Sequence, residues 1–143
     1  MLNLKNLKTP CFLLDKNDIR DNVIAFQKAL DNLFTHSIIG YSVKTNSLPY
    51  ILYLIKEMGC YAEVVSYNEY KLALEIGFPK DHIIYNGPLK SRETFIDAIK
   101  HNAIVNIETW REIEWLDDLP KCQDFEIGIR ININTSIISP EDE

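Results

Sequence analysis

The residues best suited to covalent chemistry in this chain are one lysine and a few acids and amides that close apolar runs. Lys44 follows the β-branched and small residues of "IIGYSVKTN", Ile38 to Asn46. Glu63 lies in "YAEVV", Asn86 in "HIIYNG" and Glu108 in "VNIET", while Arg130 is set among isoleucines in "FEIGIRININ". A primary amine kept from water attacks carbonyls, because burial disfavours its charged form. One lysine among acids and amides therefore suits Schiff-base chemistry. Blander readings stand beside it. A strand-end lysine is commonly a solvated edge charge, Glu63 fits a salt bridge as well as a site, and Arg130 fits a counter-ion for Glu63 or Glu108.

Strands would have to position these groups, and side chains alternate faces along a strand. Ile39, Tyr41 and Val43 then share one face, with Gly40, Ser42 and Lys44 on the other. In the last run, Ile127, Ile129, Ile131 and Ile133 form a face expected to pack on helices. Gly128, Arg130, Asn132 and Asn134 line the opposite crevice. The polar groups gather toward strand C-terminal ends, where α/β folds place their sites.

Helical patterns separate the strands. Ile19, Val23, Phe26, Leu30, Leu33 and Phe34 recur at helical spacing from about Asn17. Pro49 opens a second helix and Gly59 ends it. Ser66 with Glu69, and Thr109 with Glu112, read as capping boxes; Ser91 caps another helix and Gly77 stops one. Single helices between strands make βαβ units and a parallel sheet. The short repeat favours a (β/α)8 TIM-type barrel, of which a complete example needs roughly 250 residues. With 143 residues and about five β/α units, a partial barrel is expected, the N-terminal piece of a longer one.

Composition excludes other classes. The 46% hydrophobic and 25% charged content is that of a globular protein. A net charge of −6 argues against nucleic-acid or anionic-membrane partners. Apolar runs are too short to span a bilayer. Cys11, Cys60 and Cys122 have no CxxC spacing and read as thiols of a reducing, cytoplasmic setting. His36, His82 and His101 lack ligand spacing, so no metal is expected, and Trp110 with Trp115 reads as helix packing.

Taken in order, "TPCFLLD", "YSVKTN", "YAEVVSYNEYKLALEIGFPKDHIIYNGPLKS", "VNIETWREIEWL" and "GIRIN" resemble the alanine-racemase-fold decarboxylases that use pyridoxal 5'-phosphate. That group includes the diaminopimelate, ornithine and arginine decarboxylases. The resemblance runs from Thr9 to about Asn134 and displaces the solvated reading of Lys44. It implies that Lys44 forms the Schiff base with the cofactor, that Glu63 stands beside it where the family usually has Asp, and that Asn86 and Arg130 face it. "SYNEY" replaces the family's "SGGEL", and "YNGPLK" its "HGN-K".

Several expectations follow from the resemblance. Residues 1–16 would be a strand segment joining a C-terminal β domain, and residues 17–143 the first part of the cofactor-binding barrel. The phosphate loop, the ring-stacking histidine and the acid that pairs with the ring nitrogen would lie outside the chain. The piece alone would bind cofactor poorly, show little activity and self-associate, whereas the full-length protein would be a homodimer. An amino acid would be the substrate, with diaminopimelate first and ornithine or arginine next. A racemase or cofactor carrier of the same barrel, or a non-catalytic regulatory homologue, are the rival readings.

Overall fold

Apolar runs that alternate with amphipathic segments fold as parallel strands with intervening helices. The computed structural model describes residues 8–131, and the chain divides into two units, Met1–Ser37 and Ile38–Glu143.

In the first unit, Asp15 starts helix α1 (Lys16–Asp31). Its carboxylate accepts a hydrogen bond from the Asn17 amide at 2.7 Å, which satisfies one of the free donors at the helix start. Of the expected stripe, Ile19, Val23 and Leu30 are half-buried, whereas Phe26 is exposed. The helix stops before Leu33 and Phe34, which the periodicity places on the same face. Asp31 and Asn32 explain the stop, because short polar side chains compete for backbone groups and favour turns. The "CFLL" run forms no strand in the described structure, and Phe12 is fully exposed.

The second unit is a five-stranded sheet: β1 (Gly40–Ser42), β2 (Tyr61–Ser66), β3 (Ile83–Leu89), β4 (Ile104–Ile107) and β5 (Gly128–Ile129). Every neighbouring pair is parallel, and the spatial order is the chain order. A doubly wound sheet reverses its order at a switch point, whereas a barrel does not. This is therefore a partial barrel, as expected. Helices α2 (Pro49–Glu57), α3 (Tyr67–Ile76), α4 (Arg92–Lys100) and α5 (Trp110–Trp115) connect the strands.

Local signals set these boundaries. Ser66, Ser91 and Thr109 accept from the amides of Glu69, Thr94 and Glu112. Thr109 and Glu112 close a full capping box. The Glu69 carboxylate instead accepts from Val65 N–H at 2.9 Å, one residue early, so the expected box at Ser66 is only half formed. Gly77 ends α3 with φ of 92°, a left-handed conformation open to glycine at no steric cost.

Strand parity divides the sheet into two unlike faces. Ala62, Val64, Ile83, Tyr85 and Val105 are fully shielded, together with Leu52, Tyr70, Ala73, Phe95 and Ala98 of the helices. Each large apolar side chain buried there contributes about 1.5–3 kcal/mol. The other face presents Ser42, Glu63, Ile84, Asn86 and Asn106, all half-buried.

The last strand differs from expectation. Only Gly128 and Ile129 pair with β4, and Ile127, Ile129 and Ile131 are 36%, 75% and 80% exposed. An isoleucine face is buried only if a helix covers it. The six residues of α5 are too few for that, and no described helix follows β5. The parity expected for Asn132, Ile133 and Asn134 lies outside the described residues.

Candidate functional site

The expected site residues fall at the C-terminal side of the sheet: Lys44 by itself, Glu63 with Asn86 in one grouping, and Glu108 with Arg130 in a second. Lys44 is on a single 3-10 turn, Val43–Thr45, that begins where β1 ends. The strand alternation thus stops at Ser42 and does not set the direction of Lys44. Three bonds shape the turn. Thr45 Oγ1 donates to the Ser42 carbonyl at 2.7 Å, the Tyr41 hydroxyl to the Asn46 carbonyl at 3.0 Å, and Leu48 N–H to Asn46 Oδ1 at 3.2 Å. Val43 anchors it from a fully buried position, so Lys44 is held outward. It is exposed, contrary to the burial that would make its amine a nucleophile, and it makes no ion pair or hydrogen bond among the described residues.

Glu63 and Asn86 do come together. Ser42 Oγ donates to Glu63 Oε2 at 2.7 Å, and Asn86 Nδ2 donates to Oε1 at 2.9 Å. Asn106 Nδ2 in turn donates to Asn86 Oδ1 at 2.5 Å. The result is a polar row across β1, β2, β3 and β4 on the open face. Its carboxylate is hydrogen-bonded from two sides and pairs with no cation among the described residues. Ser42 and Asn106 were not singled out as site groups by sequence. The signal was present, because Asn106 alternates with Val105 and Ile107 just as Arg130 alternates with isoleucines.

Arg130 belongs to the second grouping. Its Nη1 donates to Glu108 Oε2 at 3.2 Å, which settles the choice between Glu63 and Glu108 as its acidic partner. The other oxygen of Glu108 accepts from Gly87 N–H. Gly87 has φ of 79°, and a Cβ there would lie 2.3 Å from the Val65 carbonyl oxygen. Only glycine brings that N–H to Glu108 without strain.

Beside the second grouping lies a buried ion pair, of which the sequence shows only a cap. Lys90 Nζ donates to the Gly87 carbonyl at 2.6 Å and to Glu112 Oε1 at 3.3 Å, and both side chains are fully shielded. Glu112 Oε2 accepts from the Glu108 and Thr109 amides at 2.7 and 3.3 Å. One lysine and one glutamate thereby tie the β3 and β4 ends together. Burial lowers the Lys90 pKa, and Glu112 offsets part of that shift. The Lys90 ammonium also lies 5.5 Å from the Tyr85 ring centroid, a cation–π contact.

Among the described residues, the arrangement offers a primary amine without a partner, a carboxylate without a cation, and an arginine ion-paired with Glu108. An aldehyde cofactor with a positively charged portion fits the first two. Pyridoxal phosphate matches that chemistry, although no glycine-rich phosphate loop occurs among the described residues.

Known proteins resemble this chain over most of its length. A rice protein named "Probable diaminopimelate decarboxylase, chloroplastic" is 33% identical over 130 residues, 91% of this chain and 26% of its own. The diaminopimelate decarboxylase of Aquifex aeolicus is 29% identical over 90% of this chain and 30% of its own. The Helicobacter pylori enzyme, solved with L-lysine, superposes with a TM-score of 0.74 at 29% identity, over 90% of this chain and 33% of that one. The chain thus spans about a quarter to a third of the length of these relatives. The family described as "Pyridoxal-dependent decarboxylase, pyridoxal binding domain" matches residues 16–141, and the chain belongs to it.

Proposed function

We propose that this chain is the cofactor-holding part of an amino-acid decarboxylase that acts on diaminopimelate, with Lys44 as the attachment point for pyridoxal phosphate. The observation that carries the reading is the Lys44 amine, unpaired among the described residues and held outward at the C-terminal end of β1 next to the strand that bears Glu63. The names of the relatives support the substrate. A homodimer in a cytoplasmic setting completes the reading, the latter in keeping with free thiols at Cys11, Cys60 and Cys122.

Each residue has a separable task. Lys44 Nζ would hold the cofactor covalently and release it when the substrate amine takes its place. Glu63, hydrogen-bonded but without a cation among the described residues, would stand beside the bound group and tune the charge around it, favouring a cationic form. Asn86 would keep Glu63 Oε1 aimed. Arg130, ion-paired with Glu108, would supply further hydrogen-bond donors. When bound, pyridoxal phosphate would supply the electron sink for the pair left by the departing carboxylate.

Borohydride reduction in the presence of pyridoxal phosphate tests this reading, because it captures even weak covalent attachment. Peptide mapping by mass spectrometry should find the pyridoxyl group on Lys44 and lose it in Lys44→Ala. Label spread evenly over the surface lysines would sink the proposal.

A further inference from the structure

The polar row on the open face has a direction. A carboxylate only accepts hydrogen bonds, so Asn86 must turn its amide nitrogen toward Glu63. Its oxygen is left facing β4, where Asn106 Nδ2 donates to it. Asn106 is itself placed from the far side. It is the register partner of Gly128, and a Cβ at position 128 would lie 1.8 Å from Asn106 Oδ1 and 3.0 Å from its Cγ. The amide of Asn106 occupies the space that a side chain at 128 would need.

We infer that Asn106 is a positioning residue: seated on Gly128, it orients Asn86, which in turn aims the carboxylate of Glu63. The inference rests on the proposed role of Glu63 beside the cofactor and adds what sets that carboxylate's orientation. The groups known to face Glu63 are few. Ser42 bonds it from β1, with Lys44 on the turn beyond, and Asn86 bonds it from β3. Arg130 is engaged by Glu108.

Asn106→Asp keeps the shape but offers Asn86 only acceptors. The new carboxylate at 106 then competes with Glu63 for the one Asn86 amide group, and where Asn86 turns toward 106 its oxygen comes to face Glu63 Oε1. Two facing acceptors favour protonation of one of them. In the cofactor-free full chain, the carboxyl carbon of Glu63 followed by NMR should show its titration midpoint raised by about one pH unit. The new charge at 106 also acts through space, and the same substitution in an Asn86→Leu background measures that part. There the shift should be less than half as large. Gly128→Ala adds no charge, displaces Asn106 and should move the Glu63 midpoint in the same direction. It also carries the test if Asn106→Asp fails to fold.

Equal shifts with and without Asn86, or an unmoved midpoint in folded Gly128→Ala, would overturn the inference. Labelling of Lys44 reads the functional proposal separately. A shifted Glu63 with Lys44 unlabelled would remove the proposed function and leave the amide row standing. A labelled Lys44 with an unshifted Glu63 would do the reverse.

Discussion

Glu63 and Glu112 are two glutamates of one sheet-and-helix unit, held in opposite ways. Glu112 is wholly shielded at the start of α5, with Lys90 beside it and two backbone amides donating to it. Glu63 is half-buried on the open face, bonded by a hydroxyl and an amide and paired with no cation among the described residues. A charge taken fully out of water needs a counter-charge and hydrogen bonds to persist. A half-exposed one needs neither, so hydrogen bonds around it serve mainly to fix direction. The difference separates a carboxylate that holds the fold from one that is aimed at something.

The same substitution at the two positions should break this symmetry of residue type. Glu112→Gln leaves Lys90 buried with a charge and no anion, and such losses cost about 3–5 kcal/mol. The measurement is the urea-unfolding free energy, and a loss below 1 kcal/mol would mean that the pair contributes nothing to the fold.

The shielded side should also betray itself at high pH. Tyr85 is fully buried, stacks on Tyr70 with ring centroids 5.0 Å apart, and shares a hydrogen bond with Thr94. Burial, the largest cause, pushes its pKa up from 10.0 to about 12, and Tyr70 is raised as well. The folded state then holds a proton that the unfolded chain releases. Stability is fully present below pH 10 and is lost as the pH rises toward about 12. At about 1.4 kcal/mol for each pH unit, Tyr85 alone accounts for about 2–3 kcal/mol. Tyr85→Phe should flatten that decline in unfolding measured against pH.

Legibility in the sequence tracked how local each signal was. The caps at Ser91 and Thr109, the stop at Gly77 and the βα alternation depend on neighbours within a turn, and they appear as expected. Glu63 and Asn86 read in the sequence as polar groups near strand ends, and β2 and β3 are long enough for alternation to bring them to one face. Parity failed at Lys44, where β1 gives way to a 3-10 turn after three residues, and at Ile127, Ile129 and Ile131 in and beside β5, which no helix covers among the described residues. The Lys90–Glu112 pair was invisible as a pair. Its partners are 22 residues apart, and each already had a local explanation, one in a motif and one in a cap.

Glu63→Gln is the mildest change and the one that sharpens the comparison most. A glutamine at 63 can accept from Asn86 through its oxygen and donate through its nitrogen to Ser42, whose hydroxyl rotates to accept. Every hydrogen bond of the row survives, and the position is half-open to water. The unfolding free energy should therefore stay within about 0.5–1 kcal/mol of the parent value. Only the charge is gone. If Glu63 is held for a cationic group, borohydride labelling of Lys44 by pyridoxal phosphate should fall several-fold while the urea midpoint barely moves. A variant as unstable as Glu112→Gln would show that Glu63 supports the fold after all. One of parental stability that labels Lys44 as well as the parent would show that its charge faces nothing.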